Sequence, residues 1–412
     1  MNARPVLDPR DLAEVDLADV RLHADHDLTR VWRHLRDERP VRWNTSPGTA
    51  AGGFWVVTRY ADVLAIYRDQ RRFTSTRGNV LATLLQGGDS AGGRMIAVSD
   101  GPRHRAVRSL LSASLSPRGL SRLRDQVSAT TRRLLGAAVE RRRCDFAGDV
   151  AAHVPLLTIC DLLGVPAGDH PFIREQAGLA LGSDRPAQSP AEVWLARNEL
   201  LLYFRMLTQA RRASPGDDLV SVLASGRVDG EELSEDEVIL NCYSLILGGD
   251  ETTRLAMSGA IAAFAEWPLA WRRFAAGELG TAGAVEEILR WTSPAMHGGR
   301  TAVEDVELHG ERIRAGEVVS VWTVSANQDE REFPEPTVFD LGRSPNRHLG
   351  FGYGSHFCLG AYLARIELTA LLDALRDLVS RIEPAGPPGR IFSNFLAGYT
   401  TLPVEFTPTA TP

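Results

Sequence analysis

Phe351-Gly352-Tyr353-Gly354-Ser355-His356-Phe357-Cys358-Leu359-Gly360 is the stretch on which the reading of this 412-residue chain turns. Gly350, Gly352 and Gly354 lead into a cysteine, Gly360 follows it, and residues Leu359 to Leu378 then read as a helix. Glycines let the backbone take positive φ and approach a flat ligand closely. A cysteine at a helix N-terminus has its thiolate stabilised by the helix dipole and by free N–H groups. Such a thiolate is a good iron ligand, and it pushes electron density that favours O–O cleavage. A lone cysteine is more often a buried, inert side chain. It is the ten-residue pattern that points to a ligand.

Working outward, Glu287-Ile288-Leu289-Arg290 places an acid and a base at i, i+3 on one helix face. By itself this is a common surface ion pair of little value. Further upstream, Ser234 and Glu237 have the spacing of a capping box, and an apolar periodic run follows as far as Pro268. That spacing predicts a helix of roughly 33 residues, about 50 Å long. Its middle holds Gly248-Gly249-Asp250-Glu251-Thr252-Thr253. Two glycines inside a helix cost about 1 kcal/mol each relative to alanine. A widened groove for a small ligand would offset that cost. An acid followed by a hydroxyl suits proton delivery, because threonine can both accept and donate. Without the cysteine, the same run would be a bent helix with exposed acids. Near the N-terminal end, Asp100-Gly101-Pro102 reads as a helix start with an aspartate cap. His104 and Arg108 then fall on one face of that helix at i, i+4.

Together, from Asp100 to Gly360, these segments resemble the cytochrome P450 superfamily in order and spacing. The cysteine stretch matches F-G-x-G-x-H/R-x-C-x-G at every fixed position, Glu287 to Arg290 resembles E-x-x-R, and Gly248 to Thr253 resembles A/G-G-x-D/E-T-T. Gly101 stands where a proline is usual and Gly248 where alanine is frequent. The resemblance implies a mainly α fold with small β-sheets, the haem held between the long central helix and the cysteine loop. It implies haem b with Cys358 as the iron ligand, Phe351 packed near the proximal face, and Gly352 and Gly360 shaping the loop. His104, Arg108, Arg300, His348 and His356 would serve the haem propionates. Glu287, Arg290 and Arg343 would brace the proximal side. Glu251 would be the solvent-connected acid and Thr252 the oxygen-pocket hydroxyl, with Asp250 at the variable position. Leu245, Gly248, Ala295, Met296, His297, Phe395 and Leu396 would line the substrate pocket, His297 as its unusual polar element.

The implied activity is insertion of one oxygen atom from dioxygen into a small organic substrate, by hydroxylation or epoxidation. Tailoring of a secondary metabolite, free or tethered to a carrier protein, ranks ahead of steroid or fatty-acid hydroxylation. A non-catalytic haem-thiolate sensor would not need the acid–threonine pair, and a peroxide-driven enzyme tends to replace it. No dinucleotide fingerprint is present, so electrons are expected from a ferredoxin and its reductase. Arg105, Arg347 and Arg365 are candidates for a basic docking face.

Composition agrees with this reading and excludes others. All 46 basic residues are arginine, which removes lysine Schiff-base chemistry and a phosphate loop ending in Gly-Lys. A net charge of -6 argues against a nucleic-acid binder. The four scattered cysteines form no disulfide framework or zinc ribbon, as in a reducing cytoplasm. No apolar run has signal-peptide character or membrane-spanning length. The chain is expected to be one domain, 1–412, and monomeric. Its β-rich pieces are expected near 41–58, 300–321 and 381–408. Residues 79–93 read as a loop, Tyr60 to Tyr67, Arg118 to Glu140 and Ala191 to Arg212 as helices, and Gln188 to Pro190 as a break.

Overall fold

The long helix sets the frame. In the computed structural model, which describes residues 4–8, 15–181 and 189–409, it runs Glu235–Glu266, 32 residues. The capping box is formed: the Glu237 N–H donates to Ser234 Oγ at 3.3 Å, and Glu237 Oε2 accepts from the Ser234 N–H at 2.9 Å. Trp267 ends the helix and Pro268 opens the next one, Pro268–Ala275. Val238, Cys242, Ile246, Met257, Ile261 and Phe264 are all fully buried. A helix apolar on most of its circumference belongs in the interior. Helices Val154–Leu163, Thr281–Thr292 and Ala361–Leu378 pack on it.

The strands gather to one side as a five-stranded sheet. Its strands are β1 (Val41–Thr45), β2 (Gly53–Val57), β3 (Phe73–Thr74), β4 (Gly298–Ala302) and β5 (Val318–Val321). Their order is β1-β2-β5-β4-β3. β2 and β5 are parallel, with Trp55 opposite Val319, and the other pairs are antiparallel. Arg300 sits opposite Val319 in β4, so the sheet carries that cation to the site. A second sheet joins Val379–Pro384, Pro403–Pro408 and Arg143–Asp145. The mainly α architecture with small sheets is the one expected.

Local readings differ in two places. Residues 79–93 contain a short helix, Leu81–Leu85, whose Leu81, Leu84 and Leu85 pack against Phe54, Met296 and Trp322. Five residues are too few to show a helical period. Asp100 holds the N-cap position of helix Gly101–Ser112 but does not cap it. Its carboxylate accepts instead from Thr74 Oγ1 (2.6 Å), the Ser75 N–H (2.8 Å) and His356 Nε2 (2.8 Å). The expected break at Gln188 lies outside the described residues, although Ser189 does start helix Pro190–Ala213 with a capping box. Among the described residues the four cysteines are free, and no helix is long and apolar enough to cross a membrane.

Candidate active site

The cysteine loop is closed by its own backbone. The Gly352 N–H donates to Leu349 O at 2.9 Å, and the Cys358 N–H to Phe351 O at 2.9 Å. Gly354 has φ 73°, and a Cβ there would lie 2.6 Å from Tyr67 O, so both conformation and space demand glycine. Gly360 is the N-cap of helix Ala361–Leu378, which places Cys358 at that helix's N-terminal end. The Cys358 thiol is accessible, but to an interior cavity of about 350 Å³. Desolvation pushes its pKa up, while the Gly360 N–H and the Arg108 and Arg365 charges act downward.

Gly248, Gly249, Thr252 and Thr253 of the long helix line the same cavity as Phe351, Gly352, Cys358 and Gly360. The two glycines do different jobs. A Cβ on Gly249 would lie 2.8 Å from Ile159 Cγ1, so this glycine lets helix Val154–Leu163 approach. A Cβ on Gly248 would meet nothing within 4 Å; that glycine leaves cavity open. Thr252 Oγ1 donates back to Gly248 O at 3.1 Å, a bond that draws on a helix carbonyl from within the same turn.

Cations gather at the edge of the cavity. Arg300 is buried, donates to Gly299 O at 2.7 Å and lies 5.2 Å from the Tyr67 ring centroid. Among the described residues no carboxylate is within ion-pair distance of it. A buried cation without an anion is costly, so the site calls for one. Buried His104 has its Nε2 without a hydrogen-bond partner, and its ring lies 4.3 Å from that of His356. Burial, then the charges of His356 and Arg108, hold His104 down at about 4. Arg108 Nη2 donates to Phe357 O at 2.7 Å, and His356 is tied to Asp100. Burial raises the Asp100 pKa, but hydrogen bonds from His356, Thr74 and Ser75 outweigh it and bring the carboxyl to about 2. A soft sulfur donor, a glycine cradle and unpaired cations suit an iron macrocycle that carries carboxylates. The residues present fit a haem.

Beneath the loop, Glu287 and Arg290 form a fully buried pair through Oε1 and Nη2 at 2.8 Å. Arg343 Nε reaches Glu287 Oε2 at 3.1 Å, and Asn346 Nδ2 reaches the same oxygen at 3.0 Å.

The sequence model of the cytochrome P450 family matches residues 281–378, the stretch from the Glu287 helix through the cysteine helix. Cytochrome P450 NovI of Streptomyces niveus is 47% identical over 407 residues, covering 99% of this chain and 100% of that protein. The chain belongs to the cytochrome P450 family. The methyl-branched lipid omega-hydroxylase of Mycobacterium tuberculosis is 36% identical, with 96% of this chain and 95% of that protein covered. The crystal structure of P450 OxyD, involved in the biosynthesis of vancomycin-type antibiotics, matches with a TM-score of 0.87 at 36% identity, covering 96% of this chain and 100% of that one. This P450 is accordingly a haem-containing monooxygenase.

Within the P450, several expected site residues sit elsewhere. His348 does not line the cavity: its Nε2 bonds Glu286 Oε2 at 3.1 Å and its Nδ1 accepts from the Gly350 N–H at 3.1 Å. Both nitrogens are thus committed on the far side of the loop. Glu251 is buried and pairs with Arg254 Nη2 at 2.5 Å, the i, i+3 neighbour on its own helix, rather than facing the cavity or solvent. Ala295 and His297 line the cavity but Met296 does not; Phe395 lines it but Leu396 does not. Met296 and Leu396 face a neighbouring cavity of about 260 Å³. Successive side chains of an extended segment point to opposite sides, which separates Met296 from Ala295 and His297. Leu245 and Gly248 line the same cavity as Cys358. Arg365 is neutralised by Glu286, through contacts of 2.6 and 2.9 Å, whereas Arg105 and Arg347 are exposed.

Glu367, which no motif marks, also lines the cavity. Glu367 is fully buried, and burial pushes its pKa up to about 8 against the pull of the Thr158 and Thr253 hydroxyls. It is a neutral acid at pH 7. Its signal was present: it falls in phase with buried Leu363, Ile366, Ala370 and Leu371, where an apolar residue is expected.

Proposed function

We propose that this P450 uses haem b to insert one oxygen atom from dioxygen into a small organic substrate, by hydroxylation or epoxidation, in the tailoring of a secondary metabolite. The observation that carries it is one cavity shared by Cys358 and by Gly248 and Thr252 of the long helix. The likeness to OxyD supports the secondary-metabolite reading. The likeness to the lipid hydroxylase, at the same identity, together with a cavity wall rich in Leu245, Ile96, Ile159, Ala256 and Phe395, favours a lipid or steroid as the second reading. Electrons would come from a ferredoxin and its reductase, with exposed Arg105 and Arg347 meeting an acidic partner.

When bound, the haem supplies activation of dioxygen, and a thiolate ligand favours O–O cleavage. The chain's own residues do the rest. Cys358 would ligate the iron through Sγ. Arg300, Arg108 and His104, with His356, would take the haem carboxylates and so fix its rotation in the cavity. Phe351, with Arg365 stacked 4.6 Å from its ring centroid, would pack the proximal side. Thr252 would turn its Oγ1 proton from Gly248 O toward the cavity. Once its pair with Arg254 opens, the Glu251 carboxylate would take a proton from water and pass it to Thr252. Glu287, Arg290 and Arg343 would keep the cysteine loop in register.

The test is a carbon monoxide difference spectrum of the reduced protein beside Cys358→Ser. A strongly red-shifted Soret band in the wild type alone supports the assignment; a band unchanged by the substitution overturns it. Product formation with NADPH, ferredoxin and reductase then separates an oxygenase from a haem sensor, and spin-state shifts across polyketide, aminoacyl, steroid and fatty-acid panels separate the two substrate readings.

A further inference from the structure

His297 is buried to 3% exposure, and neither of its ring nitrogens has a hydrogen-bond partner among the described residues. It lines the main cavity beside Ala295, Gly298 and Phe395. Its ring lies 4.9 Å from that of Trp322 and 5.3 Å from that of Phe395, edge-on to the latter. An imidazole wedged between aromatic walls with two idle nitrogens is an expensive residue, since each buried unsatisfied polar group costs free energy. Phenylalanine or leucine would fill the same space without that cost. Such an arrangement is tolerable when something entering the cavity supplies the missing partner.

The chemistry of that partner is constrained. Burial, with His23 close by, holds the His297 imidazole at a pKa of about 3, so the ring is neutral at pH 7. It offers one N–H donor and one acceptor nitrogen. A neutral ring does not compensate a buried carboxylate or ammonium. It does suit a hydroxyl, which both donates and accepts, or a neutral carbonyl. The cationic side chains Arg108 and Arg300 belong to the haem-carboxylate edge, not to this wall.

We propose that His297 is the polar anchor of the substrate pocket and selects substrates that carry a neutral hydroxyl or carbonyl on an otherwise apolar body. This rests on the haem-thiolate reading above and sharpens it into a substrate class. His297 contacts substrate and takes no part in oxygen activation.

The experiment uses ligands whose binding does not depend on knowing the substrate. 1-Alkylimidazoles coordinate haem iron and give a spectral shift; their 1-(ω-hydroxyalkyl) counterparts, from six to twelve carbons, carry the same anchor with a hydroxyl at the far end. At one chain length the hydroxyl is expected to tighten binding to the wild-type holoenzyme about 5- to 10-fold, the worth of one added hydrogen bond to a buried group. In His297→Phe the hydroxyl preference disappears while the plain alkylimidazoles bind as before; in His297→Gln part of it returns. Because His297→Phe removes two idle polar atoms, the substrate-free variant should melt no lower than wild type. A merely structural histidine would behave oppositely. No hydroxyl preference at any length, a preference kept in His297→Phe, or a clear loss of Tm in that variant overturns the proposal. Absence of the thiolate carbon monoxide band from the wild type is a separate result, which sinks the haem reading instead.

Discussion

Glu287→Gln should be among the most damaging single-atom changes in this protein. The carboxylate accepts from Arg290 Nε and Nη2 at 2.8 Å each, the Asp340 N–H at 3.0 Å, Asn346 Nδ2 at 3.0 Å and Arg343 Nε at 3.1 Å. Glu287 and Arg290 have fully buried side chains and Arg343 is only 7% exposed. Glutamine keeps the shape but removes the charge and turns an amide NH₂ toward donors. Two buried guanidinium groups then lose their counter-charge. Breaking a buried pair from one side costs about 3–5 kcal/mol, against a total stability on the order of 5–15 kcal/mol. Arg343→Ala leaves Glu287 paired with Arg290 and should cost less, roughly 1–3 kcal/mol. Urea unfolding followed by circular dichroism reads both. Since Arg343 and Asn346 lead into the cysteine loop, the thiolate carbon monoxide band should weaken in step with stability. If Glu287→Gln unfolds within about 0.5 kcal/mol of wild type, the ordinary scatter of surface substitutions, the bracing role is wrong.

Other consequences are checked more simply. Gly249→Ala should destabilise by about 1–3 kcal/mol through overpacking on Ile159, whereas Gly248→Ala should leave Tm unchanged or raised and alter ligand-induced spectral shifts instead; equal effects on Tm would remove the distinction. Glu367 is raised from 4.5 to about 8 in the fold, so between those values the folded state holds a proton that the unfolded state has lost. Stability from this group therefore falls as pH rises through that window, and Glu367→Gln should be the more stable form above pH 8 by a few kcal/mol; parallel stability–pH curves for the two proteins would refute this. Thr252→Ala should lower product formed per NADPH consumed by at least about 10-fold with the carbon monoxide band intact, and unchanged coupling would dismiss the hydroxyl. Arg105→Glu should slow reduction by ferredoxin, more at low salt, without changing ligand shifts; salt-independent wild-type rates would argue against a basic docking face.

What local sequence determined was whatever depends on neighbours along the chain. Ser234 and Glu237 close a capping box within three residues, so one end of the long helix was readable, and Pro268 marked the other. The glycines around Cys358 permit the positive φ that Gly352 and Gly354 adopt, and Gly360 stands at the helix start. The Glu287–Arg290 pair follows from a helix turn. What only the tertiary structure decided was the direction in which side chains at element edges point. Met296 and His297 are adjacent and chemically plausible pocket residues; extended backbone points them to opposite sides, and only the packing of distant segments decided which side meets the cavity of Cys358. His348 is held by Glu286, 62 residues away, a partner that only packing brings within reach; the Glu251–Arg254 pair, by contrast, is one more contact within a helix turn. The raised pKa of Glu367 comes from burial by segments distant in sequence, which its own helix pattern does not reveal. Spacing sets which residues can share a face; desolvation and contacts from distant segments decide what that face meets.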